Sequence, residues 1–437
     1  RASGYGYYTW QYRVYENVEG KQVWDDGADF RHLYSHINAC NMILEETKAF
    51  EEMTEEEDVQ NVNRIKGECH FLRGCYYFLL ANFYGKPYVA STAESDPAVP
   101  IKTSNYVEDK YYSRNSVAEV YKQIVTDLLD AEKFLKDVPK KSMWRADINA
   151  VRLMLSRVYL YMCLYEEAEK YAALVTENGP QLEDLNSFSG KEFLSTNLSE
   201  LIFSTGASSL PGNVTFYSRN DGTEPGFVSG NDMRISNELY EAYNPRNPID
   251  LRLQYFVLDY DGSIRYRKLQ GETFQTTDLS DVFLMRTAEA WLNLAEAAAC
   301  AGDEPTARKA LNTLREKRIK REFFDESEVN GLTGENLVQF IREERRRELC
   351  LEGHRWFDLR RYRVAEKYPQ EVTVEHVYVN KTYNSSTYEY ETLWIRKFVL
   401  TTDDPAWVMP LPKAEIDKNT GMLDNPRNER GYEDVNN

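Results

Sequence analysis

The sequence predicts a mainly α fold: a tetratricopeptide-like helical-repeat scaffold with a loop-rich insertion and short β-hairpins. Three observations lead there. Long stretches repeat apolar residues at the helical period. Two stretches carry small and large residues at the spacings of a helix pair of about 34 residues. Between them, residues 180–283 are dense in turn signals and short β-like runs.

Taken in order, residues 1–26 read as loop, because GYGYYTWQYRVYENVEG is aromatic and glycine-punctuated without helical period. A helix is expected from about Asp29 to Phe50, with Leu33, Ile37, Cys40 and Leu44 on one stripe. A second runs from about Val59 to Tyr84 and is stopped by Gly85 and Pro87. Tyr88 to Arg114 is a long polar loop rich in Pro, Ser and Asp. Helices resume at Ser116–Leu135 and at Asn149–Glu177. The latter is two helices, because Leu155, Ser156, Tyr159, Ala168, Ala172, Val175 and Pro180 fit one repeat. Ser156 and Ala168 are small enough for close approach, with Tyr159 filling the groove beside them. The second repeat has Trp291, Leu294, Ala295 and Ala298, a turn at Gly302-Asp303-Glu304-Pro305, then Ala307, Leu311 and Leu314.

The insertion offers β-like runs at Glu200–Ser204, Leu253–Asp259 and Ser263–Lys268, and one helix at Ile235–Tyr243, capped by Ser236 or nearby polar groups. A helix at Glu335–Glu352 follows the second repeat. The tail holds a hairpin, Val372–Val379 with Tyr388–Phe398. No flexible linker cuts the chain, so 1–437 reads as a single domain. Its parts are a first helical-repeat part (29–179), the ligand-side insertion (180–283), a second helical-repeat part (284–362) and an irregular, hairpin-bearing end (363–437).

Composition narrows the function. With 437 residues and 42% hydrophobic residues, a sizeable core can form. A net charge of −18 repels phosphate backbones and anionic lipid, which argues against nucleic acid as partner. Tyr is abundant, at 31 residues, and suits wet binding surfaces as well as cores. No apolar run approaches the ~18 residues of a membrane span. The chain begins at Arg1 without a signal-peptide pattern, as a processed or trimmed product would. Six cysteines without a C-x-x-C read as free core thiols.

The segment around Arg345 is unusual. Glu344, Glu348 and Glu352 recur every four residues, on the stripe of apolar Leu337, Phe340 and Ile341. Carboxylates continuing an apolar stripe are half-buried and must be paired, and the neighbouring arginines can supply forked hydrogen bonds. The expectation is a structural ion network of Glu344, Arg345, Glu348, Glu352 and Arg355. Gly353 would cap the helix, with Trp356 and Phe357 entering the core. The competing reading makes two of these glutamates an acid/base pair.

At these residues the chain resembles the SusD/RagB family of nutrient-binding outer-membrane lipoproteins, whose signature is similar to R-x-x-E-L-x-x-E-G-x-R-x-x-D-L-x-R. Arg345, Glu348, Leu349, Glu352, Gly353, Arg355, Asp358, Leu359 and Arg361 match it. Trp24–Met42, Arg64–Pro87, Leu284–Ala297 and Met409–Pro426 resemble four further family segments. The resemblance implies a SusD-like fold that binds an oligosaccharide or other nutrient at the cell surface. Its partner would be a SusC-like TonB-dependent transporter, which it serves as a lid without breaking bonds. It also implies a lipid anchor on the extracellular face of the outer membrane, although the lipid-bearing N-terminal Cys is absent from this sequence.

The family has no fixed binding residues, so candidates come from local chemistry. Sugar rings offer C–H faces to aromatics and hydroxyls to forked polar groups. Aromatics in loops that no core needs are therefore the expected ligand contacts: Tyr7, Tyr8 and Trp10 in one cluster; Tyr217, Arg219, Asn220 and Asp221, followed by Phe227, in another. No cofactor is expected, since no P-loop, dinucleotide fingerprint or G-x-S-x-G occurs. Asp29, His32 and His36 share a helix face but lack further metal ligands, and Asp25-Asp26 and Asp403-Asp404 suit turns, so no metal is expected either. Three alternatives stay open: the same fold binding peptides or another nutrient, a helical glycosidase, and a bare protein-binding repeat scaffold.

Overall fold

The computed structural model describes residues 4–190, 192–206, 235–260, 263–268, 279 and 283–435. The chain divides into two units, one of residues 1–53, 72–127 and 359–437, the other of residues 54–71 and 128–358.

In the second unit the two predicted helix pairs form. Helix Ile148–Tyr161 starts at Asp147, whose side chain accepts from the Ala150 amide, and Tyr165–Asn178 returns antiparallel to it. Ser156 Oγ donates to the Ala168 carbonyl at 3.1 Å, and Tyr159 stacks on Tyr171 at 5.7 Å, so small and aromatic positions play the parts their spacing suggested. Helix Thr287–Ala301 is buried along almost its whole length, because the helices Tyr165–Asn178, Glu304–Glu316 and Gly334–Glu348 all pack on it. It stops at Gly302, whose φ is +98°, and Asp303 caps the next helix by accepting from the Thr306 amide. A Cβ on Gly302 would meet no atom within 4 Å, so Gly302→Ala isolates the conformational cost. That cost is expected to be about 1–2 kcal/mol, read as a lower midpoint in urea unfolding.

The insertion contributes β1 (Leu201–Phe203), β2 (Val257–Tyr260) and β3 (Ser263–Tyr266), and β4 (Met285–Arg286) follows directly after it, with β1 antiparallel to β4 and β2 to β3. The run Leu253–Asp259 is not all strand: Arg252–Phe256 is helical and only its end joins β2. Helix Asn237–Ala242 has Ser236 as its cap, accepting from the Leu239 amide. Leu194, Leu201, Leu239, Phe256 and Tyr266 form a small core of their own here.

In the first unit, helix Ala28–Glu46 buries Phe30, Ile37 and Cys40 and continues as a 3-10 turn to Phe50. Arg73 forks onto Asp127 and donates to Asn41 Oδ1 at 2.7 Å. Arg114 collects the carbonyls of Tyr84, Pro97, Ala98 and Leu423 and the side chain of Asn425, all at 2.8–3.0 Å. The tail builds an antiparallel sheet ordered β5 (Val374–Asn384), β6 (Glu389–Leu400), β7 (Glu433–Asp434). The hairpin is thus longer than the sequence pattern suggested. The opening segment is not all loop either, since Tyr5–Tyr8 makes a helical turn. Gly6 allows this, because a Cβ there would run into the Val14 carbonyl oxygen.

None of the described cysteines forms a disulfide. No described helix is long and apolar enough to cross a membrane.

Candidate functional site

The glutamate row lies deep in the second unit. Glu348 meets Arg286 at 2.5 Å, Arg318 at 3.0 Å and Arg252 at 3.1 Å. Glu344 pairs with Arg347 at 2.6 Å and Arg252 at 2.7 Å. Glu352 pairs with Lys268 at 2.6 Å and Arg286 at 2.8 Å. Glu200 closes the group, at 2.6 Å from Arg286 and 2.8 Å from Arg318. Burial alone would raise the carboxyl of Glu348, but Arg318, Arg286 and Arg252 outweigh it and hold the group well below the usual carboxylate range. Glu344 and Glu352 are lowered by the same contest. Carboxylates that stay ionised and have no access to solvent cannot trade protons with a substrate, so these glutamates do not form an acid/base pair.

The helix ends earlier than expected. It stops at Glu348, and Leu351 and Gly353 both take positive φ beyond it. Gly353 therefore does not cap the helix. Leaving the helix lets Glu352 reach Lys268 and Arg286 instead of extending the stripe. Arg345 belongs to an adjoining cluster, donating to Asp358 at 2.9 Å and Asn293 at 2.7 Å. His354 beside it is pushed well below its ordinary value by burial and by Arg157 and Arg345, so it is neutral. Arg355 is half-buried, on the wall of a ≈180 Å³ pocket with Arg346 and Ser236. Trp356 and Phe357 are half-buried rather than in the core.

The first expected aromatic cluster sits on the C-terminal sheet of the first unit. Tyr8 is exposed and stacks on His376 at 5.7 Å, and Tyr7 is exposed beside it. Trp10 differs: it is only 9% exposed, at a φ of 52°, so its ring offers little face to a ligand. Tyr5 anchors the turn by edge contacts to Tyr378 and Phe398. Next to it opens a polar hollow of ≈560 Å³, lined by Tyr12, Arg13, Glu16, Asn17 and Arg427 among others. Tyr217, Arg219, Asn220, Asp221 and Phe227 lie outside the described residues.

A second concavity in this unit was not anticipated. It measures ≈420 Å³, with Phe30, Tyr34, Pro100 and Met422 around Tyr106 and Tyr112. Its loop wall is fixed from behind. Tyr34 donates to the Pro100 carbonyl at 2.6 Å, Tyr77 to the Lys102 carbonyl at 2.8 Å, and Asn41 to the carbonyls of Lys102 and Ser104. Glu108, half-buried at the loop, takes hydrogen bonds from Lys110, Tyr112 and Ser104 that hold its carboxyl at about 2. Burial, then Glu108, pushes Tyr112 up to about 12. The rim is less committed. Among the described residues, the side chains of Ser35, Asn105 and Glu415 make no hydrogen bond, and Asn38 reaches only Met42 Sδ at 3.6 Å. A ring-lined floor below free hydroxyl, amide and carboxylate groups can hold a flat-faced, hydroxyl-rimmed ligand. The sequence signal for this pocket was Tyr106, Tyr111 and Tyr112 within a loop read only as polar.

Among the described residues no group of three or more His, Cys, Asp or Glu is placed to hold a metal ion. His36 stacks on Tyr76, and Asp404 caps a turn and pairs with Arg430.

Two family models match the chain: one described as SusD family over residues 175–432, and one described as starch-binding, associating with outer membrane, over residues 5–160. No curated protein matches. A solved protein of Bacteroides vulgatus described as sugar binding is 26% identical with a TM-score of 0.73, covering 96% of this chain and 88% of its own. A SusD superfamily protein of Bacteroides thetaiotaomicron is 23% identical with a TM-score of 0.69, over 91% and 85%. A laminarin binding SusD-like protein is 19% identical with a TM-score of 0.58, over 91% and 85%.

Proposed function

Because the chain belongs to the SusD family, we propose that it binds an oligosaccharide at the outer face of the outer membrane and delivers it to a SusC-like TonB-dependent transporter. The observation that carries the reading is the tyrosine-lined pocket: among the described residues its rim groups Ser35, Asn105 and Glu415 make no side-chain hydrogen bond, while its loop wall is held by part-buried ones. Such a site is ready before ligand arrives, so little of the binding free energy is lost to ordering it. Ring faces stack on Tyr106 and Tyr112, and hydroxyls replace water at Ser35, Asn38, Asn105 and Glu415. Tyr7 and Tyr8 offer a second exposed ring surface in the same unit. No bond is broken: the buried glutamates keep the frame, and selection is by shape and hydrogen bonding.

The test is isothermal calorimetry against a panel of neutral glucans and host and plant glycans, beside a peptide library. Saturable heat with at least one glycan is the expected result. Peptide binding with silence across every glycan would move the protein to the peptide-binding alternative.

A further inference from the structure

Strand β5 is an open edge. Its inner side pairs with β6 over all eleven residues, Val374 to Asn384, and among the described residues no backbone group pairs with its outer side. Edges this long are usually blunted by proline, by a bulge or by charge. Here the strand contains no proline, and the irregularity in the ladder falls at Leu393 of β6, not in the edge strand. The outer face of β5 presents Glu375, Val377, Val379 and Lys381 in alternation, with both valines exposed at 49% and 41%. Lys381 has no ion pair among the described residues. Among the described residues, Glu375 has only Lys397, at 4.0 Å.

Run antiparallel to itself, this pattern is self-complementary: valine meets valine and glutamate meets lysine. We infer that β5 pairs antiparallel with β5 of a second copy of this chain, with the two Tyr378 residues opposite each other. In that register Glu375 of each copy faces Lys381 of the other, and Val377 of each faces Val379 of the other, on one face of a continuous sheet running β6-β5-β5-β6. Moving the two strands by one residue would set exposed side chains against the covered face. Moving them by two would face Val377 with Lys381 and Glu375 with Tyr383 and leave both charges unmatched. The lysine that discourages unspecific edge pairing thus selects one partner, the same strand.

Zero-length carbodiimide cross-linking of the whole chain, followed by peptide mass spectrometry, tests this. Glu375 and Lys381 of one copy lie six residues apart on an extended strand, about 20 Å, so a bond between them can form only between copies. The expected result is that linkage in a dimer band. In sedimentation equilibrium, Lys381→Glu should weaken dimerisation about tenfold or more, and Glu375→Lys with Lys381→Glu should restore it. Both positions are exposed, so unchanged melting temperatures identify folded variants. A monomer at every soluble concentration overturns the inference. So does a dimer that lacks the cross-link and ignores both charge variants.

Discussion

Glu348→Ala is expected to lower the stability of the chain by about 3–5 kcal/mol. The reason is what it leaves behind. Arg286, Arg318 and Arg252 converge on this one carboxylate in a region without solvent, and its removal strands guanidinium charge there. Replacing whole buried networks by apolar side chains can be neutral, so the size of the effect measures stranded charge rather than the net worth of the pairs. Urea unfolding followed by circular dichroism is the measurement, and a loss below about 1 kcal/mol would mean that the arginines find other acceptors. The pH dependence has a defined sign. The folded-state carboxyl lies well below 4.5, so its contribution is complete above that value and is lost as pH falls toward the folded one. In Glu348→Gln this part of the acid-side dependence should disappear, giving a shallower fall of stability as pH drops below about 4.5.

The second large effect is expected at the pocket. Tyr106→Ala combined with Tyr112→Ala removes both rings of the loop wall and should weaken glycan binding by about 1.5–3 kcal/mol, roughly tenfold to a hundredfold. Tyr106 is 63% exposed and no core depends on it, so Tyr106→Ala alone should leave the melting temperature unchanged. Asn105→Ala should cost about 0.5–1.5 kcal/mol of binding, as expected for one hydrogen bond. If calorimetry finds full affinity in the double variant, ligand sits elsewhere, with Tyr7 and Tyr8 the next surface to test.

The helical scaffold was legible because apolar period and small-residue spacing are local signals. Ser156, Ala168, Gly302 and Asp303 lie where their chemistry suggested. The carboxylate row was legible as buried charge, but most of its partners were not. Of the neighbouring arginines expected to supply them, Arg347 does so for Glu344, but Arg252, Lys268, Arg286 and Arg318 arrive from distant segments, which no local pattern reveals. Gly353 resembles a helix cap in sequence because positive φ and helix end often coincide. Here the chain turns at Leu351 first, so that Glu352 can point inward. Trp10 reads as a loop aromatic, but the fold buries it. The pocket escaped because three remote segments make it: helix Ala28–Glu46, the loop after Pro100, and Glu415 to Met422.

That construction from remote segments orders events in time. Arg114 ties Tyr84 to Leu423 and Asn425, and Glu415 and Met422 form one wall of the pocket. Until residues 415–425 have emerged and docked, the cleft has a missing side. A nascent or clipped polypeptide that lacks residues 415–425 would keep its repeats but not this wall, which makes that segment a checkpoint on maturation rather than an appendage.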